Sequence, residues 1–429
     1  MNKGKLVTRS LAAIVLVITM IFSLSSCIVD FEFYSNLLDG YLGDDNENGE
    51  NDGGNGGGNG GGNETPDNGG SGGNGSSGNN IGEFYPGSGD GDIENIPALQ
   101  QTLLSTVIIV ANFNYTPSAG SGVIYQLDKE SGDAYILTNY HVIYSNLYGL
   151  SSNIKLYLYG MELEGYAISA KFIGGSINYD IAVLKVEGSE VLKNSYAREA
   201  ELADSEDLRV FDTVYTVGNP EGYGFSVCKG IVSVESENLD MEGADGSSIS
   251  LRVMRFDAAV NGGNSGGGLY DSEGRLAGIV CAKRIGSDID NMGYAIPSNL
   301  AKNLAENIIY HCNGGSVTKL NRALMGVTIT SYVSGLVIDP DTGHAVKAEQ
   351  VEVLEVSSDS LAEGKVKVGD IIKSITVDGV TVEATRLHHV TDHMLTARVG
   401  SVVTLSIDRD GQMVSVSLTI TGANITLEK

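Results

Sequence analysis

Histidine and cysteine are scarce in this chain, and basic residues are outnumbered two to one by acidic ones. The 429 residues include 6 His, 4 Cys and 27 Lys plus Arg against 54 Asp plus Glu, for a net charge of −27. A strongly acidic chain without basic patches is excluded as a nucleic-acid binder. About half of the imbalance sits in one segment, because fourteen acids and no Lys or Arg lie between Asp30 and Glu94. Cys27 stands apart near the N-terminus, which leaves Cys228, Cys281 and Cys312. An odd number excludes a complete disulfide framework. Cys228 and Cys281 either pair with each other or are small buried apolar side chains. Histidine is the most informative scarcity: His141 is the only one before residue 311. Imidazole chemistry in the first 310 residues has no other candidate. The 41% hydrophobic content is enough for ordinary cores, and the length suggests two to three domains.

Against this background stands a glycine-flanked serine, Ser265, in the run NGGNSGGGL at residues 261–269. A serine hydroxyl is a poor nucleophile at neutral pH and needs an imidazole to take its proton and return it to the leaving group. His141, in LTNYHVI (137–143), supplies that imidazole. The imidazole in turn needs a buried carboxylate to hold its tautomer and offset its transient charge. Asp180, in NYDIAVLKV (178–186), supplies it at the mouth of an alternating apolar strand. The backbone N–H groups of Gly263 and Ser265, with Asn264 in the same turn, form the expected oxyanion hole. One such donor typically stabilises the transition state by about 3–4 kcal/mol. Gly262, Gly263, Gly266 and Gly267 allow backbone angles closed to other residues. A Gly/Asn/Ser cluster alone reads as a loop, and a lone histidine as a packed side chain. The order His, Asp, Ser across three β-like edges carries the catalytic reading.

These segments resemble the HtrA (Deg-type) serine protease family, whose members join a trypsin-like domain to one or more PDZ domains. The resemblance rests also on SAGSGVIY (118–125), LADSEDLRV (202–210), TVGNPEGYG (216–224), KGIVSVE (229–235), FDAAVNGGNSGGGLYDSEGRLAGIV (256–280) and GYAIPSNLA (293–301). It departs from the family at Gly268, where proline is usual, and at Tyr140, where a small polar residue usually precedes the histidine. Neither change removes a catalytic group.

The N-terminus reads as a targeting element. Lys3, Lys5 and Arg9 precede an apolar run from Leu11 to Leu24, followed by Ser25, Ser26 and Cys27. LSSC resembles a lipobox, which implies a signal peptide over 1–26 and lipidation of Cys27. The alternative is an uncleaved anchor helix over 11–29, just long enough to span a bilayer. Both place the protein outside the cytoplasmic membrane, anchored to it. Residues 44–92, dominated by Gly and Asn, bury too little apolar surface to offset their ordering entropy. As a flexible tether of about 49 residues they would span roughly 40 Å. Lipid anchor and linker together occupy 27–93.

From residue 94 the texture changes to short alternating runs, among them STVIIVANF (105–113), SGVIYQL (121–127), YILTN (135–139), IKLYLYG (154–160) and AISAKFIGG (167–175). Their spacing is that of an all-β domain of two barrels. The expected fold is mostly β, a chymotrypsin-like double β-barrel over 94–315. His141 and Asp180 belong to the first barrel and Ser265 to the second. Pro297 and Ser298 open a helix to about Tyr310, closed by Gly314 and Gly315.

Residues 316–429 read as a smaller α+β domain: strands at 324–329 and 351–356, KVGDIIKSITVDGVTV (367–382), a helical TRLHHVTDHMLTARV (385–399), and a hairpin turning at Asp410-Gly411. Its order resembles a PDZ domain. That resemblance implies capture of a peptide C-terminus by Leu324, Met325, Gly326 and Val327, with the peptide added to the sheet edge. SYVSGLVIDPDTGHAV (331–346) is longer than the resemblance leads one to expect. His389 and His393 are spaced i, i+4 beside Asp392 and His388, but no further ligand is evident nearby, so no metal or other cofactor is expected.

Six residues before Ser265, at the base of the primary specificity pocket in trypsin-like enzymes, stands Ala259. No acid there means no partner for a basic side chain. By resemblance the substrates are unfolded or misfolded polypeptides cut after small or medium aliphatic residues, and the enzyme is a homotrimer. The expected function is extracytoplasmic serine endoproteolysis in protein quality control; the alternative is a peptide-binding sensor or chaperone with residual proteolysis.

Overall fold

The computed structural model describes residues 96–428, apart from 115, 284–291, 313 and 341. The signal segment, Cys27 and the Gly/Asn-rich stretch lie outside the described residues. Among the described residues no helix is long and apolar enough to cross a membrane.

After a short helix, Ala98–Ser105, six antiparallel strands close the first barrel in the order Thr106–Phe113, Thr116–Asp128, Asp133–Thr138, Ile181–Val186, Ile168–Ser176, Asn153–Leu158. Side chains alternate across a strand, and the first strand shows it. Val107, Ile109 and Ala111 enter the barrel core, whereas Ile108 and Val110 pack outside it with Ala119 and Tyr157. Both faces are therefore covered. The second barrel closes in the order Ser226–Glu242, Ser248–Phe256, Gly293–Pro297, Leu276–Lys283, Gly268–Tyr270, Thr213–Gly218. Its own core includes Val214, Val232, Phe256 and Leu269.

A third core joins the barrels. Val123, Leu137, Ile181 and Val183 of the first pack with Val217, Val253, Tyr270 and Ile279 of the second, and with Leu300, Leu304 and Ile308 of the helix Ser298–His311. Each fully buried leucine or isoleucine contributes roughly 1.5–3 kcal/mol, so this shared core fixes the two barrels against each other. The helix starts where expected, but its N-cap is Pro297 without a side-chain cap. Ser298 is already helical, and its hydroxyl donates to the Ala203 carbonyl at 2.8 Å. The three described cysteines are free, and Cys281 is buried.

The chain then touches the first barrel once more, with Val317 N–H donating to the Ile173 carbonyl at 3.0 Å, before it builds a separate sheet. Its strand order is Val327–Thr330, Glu352–Val356, Ile371–Val377, Val402–Arg409, Gln412–Thr419, with Val380–Glu383 also pairing to Ile371–Val377. The hairpin turns at Asp410 and Gly411, both with positive φ (53° and 81°), the backbone a tight two-residue hairpin loop requires. The long segment at 331–346 is accounted for by an exposed two-stranded hairpin, Ser334–Ile338 with Ala345–Glu349. The helical stretch shortens to Leu387–His393 followed by a 3-10 turn at Met394–Thr396.

This sheet docks on the helix Ser298–His311. The buried Asn307 amide donates to the Asn321 carbonyl at 2.9 Å and to the Leu395 carbonyl at 3.0 Å, and Asn303 donates to the Asp392 carbonyl at 3.0 Å. Arg252 pairs with Asp392, and Glu206 of the 202–210 loop meets His388 and His389. Burial first, and then Arg252, hold His388 below the ordinary histidine range despite the Glu206 carboxylate.

Candidate active site

The histidine and aspartate form a coupled pair. His141 Nδ1 lies 2.8 Å from Asp180 Oδ2, and the His141 backbone N–H donates to Asp180 Oδ1 at 3.1 Å. Asp180 is 3% exposed, whereas the imidazole keeps 30% of its side chain open to the cleft. Burial opposes the imidazolium, but the charge of Asp180 and its hydrogen bond outweigh that, so His141 titrates above the ordinary histidine value. The carboxylate reaches the imidazole from a left-handed backbone at φ 46°. Asn139 Nδ2 holds it there by donating to the Asp180 carbonyl at 2.8 Å, as does the Tyr140 N–H at 3.3 Å. Tyr140 itself is buried, edge-on to Phe172.

The Ser265 loop is fastened across the cleft to the first barrel. Ser121 N–H donates to the Ser265 carbonyl at 2.9 Å. The buried Ser121 hydroxyl donates to the Gly263 carbonyl at 2.7 Å and accepts the Asn219 N–H at 2.9 Å. Gly266 packs so tightly that a Cβ there would fall 2.2 Å from the Ser121 carbonyl oxygen and 3.1 Å from the Asn139 nitrogen, two residues before His141. The serine loop and the histidine loop are thus neighbours. Among the described residues, Ser265 Oγ makes no hydrogen bond, including to His141.

The residues expected to form an oxyanion hole divide. Gly263 holds φ at 91°, and a Cβ on it would meet the Asn219 carbonyl oxygen at 2.0 Å. Among the described residues, the N–H groups of Gly263 and Ser265 have no acceptor. Asn264 N–H is committed to the Asn261 carbonyl at 3.1 Å, and Asn264 is 4% exposed. Asn264 therefore shapes the turn, leaving the two outer donors aimed elsewhere. Ala259 is exposed beside the loop, with its carbonyl 3.5 Å from Thr216 Oγ1. The nearby Asp257 is occupied: its Oδ1 accepts Ile231 N–H at 2.6 Å. Sequence reasoning did not single out Ser121 or Asn139, whose roles rest on long-range bonds to a carbonyl; the sole hint was that both lie in segments carrying the family resemblance.

Leu324, Met325, Gly326 and Val327 stand together at the edge of the C-terminal sheet. Leu324 N–H is committed to the Asn424 carbonyl at 2.9 Å. Among the described residues, Met325 and Gly326 N–H have no acceptor, and buried Ser360 Oγ beside Gly326 has no partner. His393 turns its Nε2 to the Val380 carbonyl at 3.0 Å, so it does not pair with His389.

Two fused barrels with an Asp-bound histidine facing a glycine-framed serine loop define the trypsin-like serine protease class. The trypsin-like peptidase domain family matches residues 120–279, which contain all three residues. Among relatives, the Serine protease Do-like HtrA of Bacillus subtilis is 37% identical over 213 residues, covering 49% of this chain and 42% of its own length. The Periplasmic serine endoprotease DegP of Escherichia coli K12 is 34% identical over 302 residues, covering 70% of this chain and 56% of its own. The chain thus spans about half the length of these relatives. Of solved structures, the HtrA-type protease AlgW with tripeptide superposes with a TM-score of 0.50 at 26% identity, covering 77% of this chain and 97% of that one. In sequence and in fold the trypsin-like part of the chain is similar to proteases of the HtrA/DegP type.

Proposed function

We propose that this chain is an extracytoplasmic serine endopeptidase that degrades unfolded or misfolded polypeptides through an acyl-enzyme. The observation that carries the reading is the juxtaposition of the His141–Asp180 pair with two backbone donors, at Gly263 and Ser265, that lack acceptors among the described residues. Ser265 Oγ attacks the scissile carbonyl while His141 Nε2 takes its proton. The carbonyl oxygen becomes an oxyanion held by the N–H groups of Gly263 and Ser265. Collapse expels the amine, which receives the proton from His141, and water repeats the sequence to release the acid. Asp180 stays ionised and stabilises the imidazolium. The hydrogen bond between Ser265 and His141 forms in the substrate complex, where such contacts tighten. Ala259, with no acid at its own position, suits a small or medium aliphatic side chain before the cut bond.

The C-terminal sheet serves as a PDZ domain in this reading. The unpaired N–H groups of Met325 and Gly326 take a peptide carboxylate, and the edge strand Val327–Thr330 takes the peptide as an added strand. Cys27, lipidated, anchors the chain to the membrane through the 27–93 tether.

The test is cleavage of casein by the full chain and by Ser265→Ala, with and without C-terminal peptides. Turnover should fall by at least about 10⁴-fold in the variant, and peptide should raise the wild-type rate. No cleavage by either form, with unfolded protein still bound, would replace this reading with a peptide-binding sensor or chaperone.

A further inference from the structure

The helix Leu387–His393 and the loop 202–210 bring three metal-ligating side chains into one place across the boundary between the protease and the C-terminal sheet. His388 Nε2 lies 3.2 Å from Glu206 Oε1, and His389 Nε2 lies 3.1 Å from Glu206 Oε2. Each residue offers one ligand atom, and the three atoms lie within 4.8 Å of one another. Local sequence spacing gave no third ligand for these histidines. The third comes from 182 residues upstream, on another domain.

The tautomer of His389 makes the arrangement unusual. Its Nδ1 lies 2.8 Å from the Glu383 carbonyl oxygen. A carbonyl only accepts, so Nδ1 carries the hydrogen, and a neutral His389 presents the Nε2 lone pair to the Glu206 carboxylate. Two lone pairs 3.1 Å apart repel unless a cation sits between them. A ring N–H fixed on a backbone carbonyl, with the other nitrogen free, is the second-shell pattern of metal-bound histidine. The spacing also fits. Ligands at about 2.0–2.1 Å in a tetrahedron stand about 3.3–3.4 Å apart, close to the 3.1 and 3.3 Å that separate Glu206 Oε2 from the Nε2 atoms of His389 and His388.

We infer that Glu206, His388 and His389 form a binding site for a borderline divalent transition cation, zinc above all, that joins the protease to its C-terminal domain. Two imidazoles and one carboxylate suit zinc better than calcium or magnesium, which take oxygen ligands. The imidazoles are 11% and 13% exposed and Glu206 is 39% exposed, which leaves a route for entry and a fourth position for water. Arg252, 3.8 Å from Glu206, is neutralised by its pair with Asp392, so the cluster as a whole keeps a negative charge when the imidazoles are neutral. Bound zinc would staple the helix Leu387–His393 to the loop and restrict movement of the peptide-binding sheet relative to the cleft.

The test uses the full chain carrying Ser265→Ala to prevent self-cleavage, stripped with a chelator and titrated with zinc against a chromophoric competitor. One equivalent should bind per chain and raise the melting temperature. Glu206→Gln and His389→Ala, on opposite sides of the boundary, should each weaken binding at least about tenfold, while His344→Ala on the exposed hairpin should not. Circular dichroism checks folding, and the near-isosteric Glu206→Gln decides if His389→Ala unfolds. No uptake overturns the site and leaves a shared proton as the cation between Glu206 and His389. Uptake unchanged in Glu206→Gln also overturns it, by placing the metal elsewhere.

Discussion

Asp180 holds a strained backbone, and the strain orients its carboxylate toward His141. A non-glycine residue in the left-handed region costs on the order of 1–3 kcal/mol, offset here by the two donors, Asn139 Nδ2 and Tyr140 N–H, on its carbonyl. That geometry lets one carboxylate oxygen take the His141 backbone and the other its ring. Asp180→Asn keeps the shape but removes the charge, and an amide in that place favours the wrong imidazole tautomer. We expect kcat on casein to drop by roughly 10⁴-fold. The pH profile carries a sign. In the proposed mechanism His141 acts as a base, so the wild-type rate should rise with pH through its pKa, which Asp180 holds above the ordinary histidine value of 6.5. With the charge gone, burial alone remains and lowers that pKa, so the residual acid limb should move to lower pH. An acid limb that stays in place would show that Asp180 does not control the base. The residue types of this site were legible in the sequence, because the chemistry demands a nucleophile, a base and a buried acid. Ser121 was not, because a hydroxyl's assignment to the Gly263 carbonyl depends on how two barrels meet.

At the scale of elements, short apolar runs revealed the strands because the barrels bury at least one face of each and, in Thr106–Phe113, both, whereas the exposed hairpin Ser334–Ile338 with Ala345–Glu349 has no buried side and so left only an unexplained length. Gly268, where the family resemblance leads one to expect proline, faces the ring two residues on. The Tyr270 ring fills the space in which a side chain at 268 would sit, with a Cβ there falling 2.3 Å from the ring. That ring is fully buried, and its hydroxyl meets Ser105 Oγ at 3.1 Å and Thr106 Oγ1 at 2.9 Å. It anchors the short helix Ala98–Ser105 and the start of the first barrel to the second. Gly268→Ala should therefore cost about 1–3 kcal/mol by overpacking, read as a fall in melting temperature. In a Tyr270→Ala background the same change should cost much less, since neighbours that share space couple. Equal costs in both backgrounds would exclude the ring as the cause.

The whole molecule is held by bonds that no local pattern announces. The change of texture after residue 316 hints at a separate sheet, but its docking uses polar positions on the helix Ser298–His311, of which Asn307 is the most buried of those that bond to it. At 1% exposure its amide donates to two carbonyls, Asn321 on one side and Leu395 on the other. Leu395 itself belongs to the core shared by the barrels. Both partners are acceptors, so the residue must be a donor, and a carboxylate of the same size would oppose both. Asn307→Asp leaves the buried Leu395 carbonyl unpaired at about 1–3 kcal/mol and the half-buried Asn321 carbonyl without its donor, with a buried charge added. Because the barrels keep their own cores, the loss should fall on docking. Hydrogen exchange should quicken around 321–323 and 394–397 while the strands Thr106–Phe113 and Ser248–Phe256 stay protected. If the barrels lose protection equally, the C-terminal sheet is part of a single folding unit with them, and peptide capture at its edge would reach the cleft through a rigid body instead of a hinge.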